Sequence, residues 1–223
     1  MNPIPAISTK EDTMGERGKA HLYMDLLFLR LEARYRALMA NEKVVCKQEF
    51  LAAYDRSCEQ LSVAAYALTG LRADCDVLLL RLSPHLENFQ AMSCHLQESG
   101  LGKYLVPVRS FLGTVRAAEY APPQEPERED AKAPGAVGNG KYLFVTPAPA
   151  DAAAALEGAK RPAGGRVHVL DGRGLGEEPF VVAFETDDPA AFRELLSGWD
   201  KAPQGPTYVC LLKDIHDIVD GLG

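Results

Sequence analysis

The chain has 223 residues, of which 47% are hydrophobic and 25% charged, and its formal net charge is −7. This is the composition of a folded globular protein, long enough for one large domain or two of half that size. Acidic residues exceed basic ones, and no run of Lys or Arg supplies the clustered charge that phosphate binding requires. We therefore expect no nucleic-acid partner.

The sequence carries no feature typical of secretion or of membrane insertion. Residues 1–20 are polar and lack the apolar stretch of a secretory signal, so we interpret them as a flexible N-terminus. The most apolar segments, such as Val77–Leu80, are strand-sized, whereas a membrane span needs ~20 residues. The five cysteines are widely spaced and form no C-x-x-C pair, which disfavours metal fingers and disulfide frameworks. We predict a cytoplasmic protein with mostly buried thiols, no metal site and no membrane partner.

A change in composition divides the chain at Ala121–Gly140. This stretch has four prolines, four acidic residues and almost nothing large and apolar. Such a segment buries too little surface to offset its ordering entropy, so we predict an exposed linker there. The linker separates an N-terminal module, residues 21–120, from a C-terminal module, residues 141–223.

The first module has patterns that predict the order β-α-β-β-α-β. Its apolar runs predict strands at Ser62–Leu68, Asp76–Arg81 and Tyr104–Val115, and Leu22–Leu31 is interpreted as a strand that could run into a short helix. Helical spacing is present over Glu42–Cys58, with one apolar side formed by Val44, Leu51, Tyr54 and Cys58. Ser83 as N-cap and Pro84 in the first turn predict a second helix that ends at Gly100, with an apolar face of Leu86, Phe89, Met92 and Leu96.

The second module repeats this order, although not the amino acids. Strands are predicted at Lys141–Thr146, Arg166–Leu170, Phe180–Phe184 and Thr207–Leu212. Helices are predicted at Asp151–Lys160 and from Asp188-Pro189 to Leu196. Two tandem βαββαβ units predict an α+β fold of two ferredoxin-like modules that form a dimeric α+β barrel-like core, with the sheets face to face and the helices outside.

Three local motifs have both a functional and a structural interpretation. Gly172-x-Gly174-x-Gly176 resembles a phosphate loop but leads into a strand, which favours a hairpin loop. Cys94-His95 could suggest a metal or nucleophile pair, but adjacent helical residues point about 100° apart, which favours a structural role. Strand alternation places Arg166 and His168 on one face, which could line a polar cavity or face solvent; spacing alone favours solvent.

Several segments, in the right order, resemble the chlorite dismutase family, which includes the coproheme decarboxylases. In the first module the resemblance spans Gly70–Val115, with an aspartate-led strand, a Ser-Pro helix, a Gly-Leu-Gly-x-Tyr-Leu turn and a Ser-Phe-Leu strand. In the second, Lys141–Val145 followed by Pro147 is similar to the family's K-Y-L-F-V-Y-P. Gly174-Leu175 with Phe180–Asp187 is similar to its G-L-D-D-x-E-F-V-V-A-F-E-T-D.

The resemblance implies the fold predicted above, a homo-oligomeric assembly and a haem pocket in the second module. In the family, a histidine on that module's first helix binds the iron, and chlorite-degrading members have a distal arginine. Counting back from Phe180 assigns that catalytic position to Arg166, and His168 and Tyr142 become candidate cofactor-binding residues. If the family architecture is kept, Arg166 and His168 point into the inherited cavity.

The sequence departs from the family where the iron ligand is expected. The segment after Pro147 is short and Ala-rich, and no histidine lies between Lys141 and Val167. Because haem iron needs an axial donor, we favour a non-catalytic or binding member of the family without haem. The alternative is a haem-binding oxidoreductase of the chlorite dismutase, peroxidase or coproheme decarboxylase type, in which His168 or another residue replaces the ligand. In the first case, Arg166 and His168 would form a weak site for a small anion; in the second, the ligand would be a porphyrin.

Overall fold

The computed structural model describes residues 22–116, 137–158 and 164–223. The first module contains β1 (Leu22–Leu31), α1 (Ala33–Arg36), α2 (Ala40–Cys58), β2 (Ser62–Ala67), β3 (Val77–Ser83), α3 (Leu86–Glu98) and β4 (Leu105–Val115), with a 3₁₀ turn at Gly102–Tyr104. The second module contains β5 (Tyr142–Pro147), α4 (Ala150–Gly158), β6 (Gly165–Asp171), β7 (Phe180–Thr186), α5 (Pro189–Ser197), β8 (Tyr208–Leu212) and α6 (Ile215–Gly221). Two βαββαβ modules in tandem are therefore confirmed.

The strands form a closed antiparallel barrel in the order β1-β3-β2-β8-β5-β7-β6-β4. Within each module the ladders are long: β1 pairs with β3 from Tyr23↔Ser83 to Leu29↔Val77. The two seams between modules are short, with only Tyr66↔Leu212 and Ala67↔Leu211 joining β2 to β8. At the other seam, Thr114 pairs with Asp171. The predicted pair of facing sheets is thus closed along both edges into one barrel.

Strand alternation divides the apolar side chains into three clusters. The barrel interior is filled by one face of every strand, including Phe28, Tyr66, Leu80, Phe111, Leu143, Leu170, Ala183 and Tyr208. The outer face of the first module packs against α2, α3 and α6, and this cluster includes Phe50, Met92 and Ile218. The outer face of the second module packs against α5 around Phe144, Phe184 and Phe192. Both faces of the barrel wall are therefore covered over much of its surface.

Two helix predictions need correction, and one helix has no counterpart among the predictions. The buried side of α2 is formed by Phe50, Ala53, Tyr54 and Ser57, while Val44 is 53% exposed and Cys58 is exposed as well. Helix α3 begins at Leu86 with His85 as N-cap, because Ser83 still belongs to β3. The Ser83 hydroxyl instead accepts hydrogen bonds from the His85 N–H at 3.1 Å and from Asn88 Nδ2 at 3.0 Å. Helix α6 was not predicted; it is capped by Asp214, whose carboxylate accepts from the His216 N–H.

Of two further sequence predictions, one is confirmed and one is wrong. The hairpin loop at Gly172–Gly176 is confirmed, because it joins the antiparallel pair β6 and β7. The thiols of Cys75 and Cys210 are buried, whereas Cys94, like Cys58, is exposed, so mostly buried thiols were a wrong prediction. Within the described residues, no helix combines the length and the apolar character that crossing a membrane requires.

The predicted linker lies mostly outside the described residues, as does the predicted flexible N-terminus. Its last four residues are described, and Val137, Gly138 and Gly140 among them are buried rather than exposed. Gly138 has a φ of +82°, and a Cβ there would lie 2.8 Å from the Cβ of Ala64. Glycine is therefore the residue that this tight approach to β2 requires.

Candidate functional site

A buried polar cluster lies inside the barrel, where β2, β6 and β7 meet the segment 137–139. Its centre is Glu185 on β7, which shares the interior face with Val181 and Ala183. His168 on β6 and Tyr66 on β2 reach the same carboxylate. All three side chains are at most 1% exposed. Strand alternation explains their meeting, because Leu170 and Tyr66 themselves belong to the interior apolar cluster.

The Glu185 carboxylate is held by four groups. The Tyr66 hydroxyl donates to Oε1 at 2.9 Å, and the Gly138 N–H donates to the same oxygen at 2.8 Å. The Asn139 N–H donates to Oε2 at 3.1 Å. His168 Nε2 lies 3.6 Å from Oε2, which is the separation of an ion pair rather than of a short hydrogen bond. The carboxylate thus connects both modules with the chain segment between them.

These contacts shift the pKa values of Glu185 and Tyr66. Burial acts to raise the pKa of Glu185, but the contact with His168 and the N–H groups of Gly138 and Asn139 lower it to about 2. Glu185 is therefore an anion at neutral pH. Burial, together with the charge of Glu185 and the hydrogen bond to it, raises the pKa of Tyr66, so the phenol keeps its proton. The cluster is an ionised carboxylate that accepts three hydrogen bonds and contacts His168.

The structure places the predicted site residues on two different faces. His168 is fully buried inside the barrel, so the interpretation that it faces solvent is wrong. Arg166 is half-buried and lies directly opposite Glu185 in the β6–β7 ladder, on the same interior face. Tyr142 belongs to the outer cluster of the second module, with its ring centroid 6.5 Å from that of Phe144. Arg166 and His168 can therefore share a site, but Tyr142 lies across the barrel wall from them.

The predicted anion site at Arg166 and His168 faces a carboxylate that the protein itself supplies. Glu185 is the ladder partner of Arg166 and the ion-pair partner of His168. An external anion would have to compete with this fixed charge, and it would meet repulsion at short range. The geometry thus favours a structural role for Arg166 and His168 over anion binding.

The residues of α4 do not fit a haem group. Its sequence, ADAAAALEG, contains no His, Cys, Tyr or Met that could ligate iron. Ala152 and Ala153 are 7% and 0% exposed, and α4 contacts β6 and β7. Further along the same module, the Phe144 and Phe192 rings stack at 4.4 Å with an interplanar angle of 12°. The His168 ring, the candidate substitute ligand, is enclosed in the barrel beside Glu185.

Sequence reasoning missed the centre of this cluster. Glu185 lies within the segment that resembles a family motif, and its alternation with Val181 and Ala183 indicates a charged group on an apolar face. Tyr66 is 119 residues away in the chain and carries no local signal of the contact. The backbone donors at Gly138 and Asn139 lie in a segment whose composition predicted exposure.

Comparison with known proteins agrees with the resemblance. A chlorite dismutase family model matches residues 42–150, a range that ends at the first residue of α4. A mutant chlorite dismutase from Candidatus Nitrospira defluvii superposes with a TM-score of 0.70 at 16% identity, covering 90% of this chain and 95% of that one. A heme-binding protein from Thermus thermophilus gives a TM-score of 0.69 at 19% identity, with 90% and 94% covered. At such identities the neighbours show the shared fold, and the family model, which matches 109 of the 223 residues, supports the resemblance seen in the sequence.

Proposed function

We propose that this chain is a haem-independent, non-catalytic member of the chlorite dismutase-like proteins and acts as a binding or scaffold protein. The observation that carries the proposal is α4, which has no iron donor and whose buried Ala152 and Ala153 pack directly against the sheet. Without an axial donor, haem iron has neither a fixed position nor a tuned reduction potential.

The boundary of the family match supports the same proposal. The match stops at residue 150, where the ligand-bearing helix of the family is expected to begin. The scaffold of strands continues beyond that point, since β6, β7 and β8 complete the barrel. A fold can be kept while the site on it is lost, because fold and function are separable.

The alternative, a haem-dependent oxidoreductase with a substitute ligand, meets two obstacles. The candidate substitute, His168 on β6, is fully buried and in contact with Glu185. Arg166, the residue assigned the distal role, lies on the barrel-interior face beside this histidine. A haem ligated by His168 would therefore require the interior apolar cluster to open. Self-association and a cytoplasmic location remain predictions from the sequence.

An oxygen-electrode assay with chlorite tests the proposal. The protein is incubated with haem, and its oxygen release is compared with that of the same concentration of free haem. We expect no release above the free-haem control, for the wild type and for Arg166→Ala alike. Oxygen release well above the control, lost in Arg166→Ala, would contradict the proposal.

A further inference from the structure

One edge of strand β2 pairs with a neighbouring strand over only part of its length. Its whole length, from Ser62 to Ala67, pairs with β3 on one side. On the other side β8 reaches only Tyr66 and Ala67, and the last bond runs from the Lys213 N–H to the Ala65 carbonyl at 3.2 Å. The chain then turns away at Asp214 into α6. The edge of β2 before Ala65 has no neighbouring strand in the described residues.

The free backbone groups on this edge are those of Val63. In an antiparallel ladder, alternate residues direct both their N–H and their C=O to the same side. Since Ala65 bonds to β8, Val63 directs its N–H and C=O to that side as well. Val63 is half-buried, and its edge groups have no hydrogen-bond partner in the part of the chain that the structure describes. Backbone groups at such a position are strong, directional binding groups.

A cleft of about 490 Å³ runs along this edge. Tyr54 and Asp55 of α2 form one wall, and Ile215 and His216 of α6 form another. Val137 lies at the end near the buried cluster. The volume is within the usual range of ligand sites, about 300–1,000 Å³. Walls on both sides prevent another folded sheet from reaching the edge, which is one way to protect a free strand from aggregation.

We propose that this cleft binds a short peptide in extended conformation, which adds a strand to β2 and pairs with the N–H and C=O of Val63. The free length from Ser62 to Ala64 corresponds to about 10 Å of strand, enough for about three residues of a ligand. Main-chain hydrogen bonds supply affinity in this mode of recognition, and the neighbouring side chains select the sequence.

Charges at the cleft indicate which peptides it selects. Asp55 and Asp214 are exposed on the two helical walls, and Lys213 is exposed where β8 leaves the edge. A peptide with a basic residue toward the helices and an acidic residue toward Lys213 complements them, while Leu212 offers an apolar contact between. The occupant is therefore an extended peptide with charges of both signs. This inference does not rest on the absence of haem, because the cleft lies between α2, β2 and α6.

Amide hydrogen exchange of Val63, measured by NMR on the full chain, tests the proposal. In dilute monomeric protein we expect the Val63 amide to exchange quickly, while the neighbouring Ala64 amide, which faces β3, is protected. Protection of Val63 in the peptide-free monomer would overturn the proposal, since the chain itself would then cover the edge. Protection that rises with protein concentration would also overturn it, because a second copy would be the occupant.

The probe is a positional-scanning library of acetylated, amidated tetrapeptides. We expect pools with one basic and one acidic residue to slow Val63 exchange at least tenfold, and we expect N-methylation of one central peptide nitrogen to abolish this effect. Lys213→Glu should weaken binding of these pools, whereas Lys103→Glu, at an exposed site outside the cleft, should not. If no pool slows Val63 exchange, the proposal is wrong.

Discussion

The outer face of the first module is covered by α2 and α3, which have 19 and 13 residues, whereas the second module carries α4 and α5, with nine residues each. The larger layer buries an extensive apolar cluster and an ion pair between Asp25 and Arg81. The smaller layer buries the Phe144, Phe184 and Phe192 group. The strands have the same order in both modules. The modules therefore differ in their helical layers and not in the arrangement of their strands.

The two helical layers also differ in how far the family model covers them. The first module, which the family model covers almost entirely from α2 onward, keeps long helices and a deep core. In the second module the family model stops at α4, a short alanine-rich helix packed close to its strands. Ala152 and Ala153 of this helix are buried where it contacts β6 and β7.

The largest expected effect is in the first module, at Arg81. Its guanidinium bonds Asp25 Oδ2 at 2.9 Å, the Ser93 hydroxyl at 2.8 Å and the Phe89 carbonyl at 3.1 Å, all at a buried position. Arg81→Ala leaves Asp25 as an unpaired buried charge, and we expect the free energy of unfolding to fall by about 4 kcal/mol. The control is Arg173→Ala, which removes an exposed ion pair with Asp171 in the second module and should cost less than about 1 kcal/mol. Denaturant unfolding of both variants checks this, and equal effects would contradict it.

Glu185→Gln tests the interior cluster that joins the modules. Because folding lowers the pKa of this carboxyl to about 2, the anion stabilises the fold above the unfolded pKa of about 4.5, and the stabilisation is lost as the pH falls toward 2. The shift corresponds to about 3 kcal/mol at neutral pH. We expect the stability difference between wild type and variant to be largest at pH 7 and to shrink as the pH falls from about 4.5 toward 2. Glu177→Gln, at an exposed position, is the control, and a pH-independent difference would contradict the assignment.

The substitution Ala153→Leu tests whether unfilled space remains between α4 and the strands. Ala153 is fully buried, so a larger side chain should overpack the contact with the sheet and destabilise the protein by about 2 kcal/mol. Ala154→Leu, on the exposed side of the same helix, should change the stability little. Thermal and denaturant unfolding measure both. If the two variants are equally stable, an open cavity lies under α4 and the comparison of the modules fails.

The smallest expected effect is at Val44 on α2. The sequence placed Val44 on the buried side, but it is 53% exposed, so Val44→Ala should change the free energy of unfolding by no more than about 0.5 kcal/mol. Phe50→Ala in the same helix removes a side chain that is 1% exposed and should cost about 4 kcal/mol. If both substitutions lowered the free energy of unfolding by a similar amount, Val44 would belong to the buried side of α2, as the sequence predicted.

The sequence predicted the strands well because buried strands carry strong local patterns. Val77–Leu80 and Phe180–Phe184 are continuous apolar runs, and such runs are typical of strands covered on both faces. Asp188 followed by Pro189 marks the start of α5, where the Asp188 carboxylate accepts from the Ala190 N–H at 2.9 Å. The buried side of α2 was less predictable, because exposed Val44 and buried Ser57 both run against simple apolar patterning.

The site was less predictable than the fold, for a physical reason. In this barrel helices bury much of the outer face as well as the inner one, so alternation identifies the residues that share a face but not whether that face is inside. His168 was therefore grouped correctly with Arg166, while its burial depended on the ring closure through β2–β8 and β4–β6. The contact of Tyr66 with Glu185 crosses between modules, and no local pattern encodes it.

A haem titration followed by Soret absorbance tests the central claim most directly. Haem is added to the wild type and to His168→Ala, with haem in buffer as the reference. We predict no saturable shift of the Soret band at one haem per chain, and spectra of the two proteins that do not differ, because α4 offers no iron donor and His168 is enclosed by the barrel. A stoichiometric, saturable Soret band in the wild type that is lost in His168→Ala would contradict the account and establish a substitute ligand.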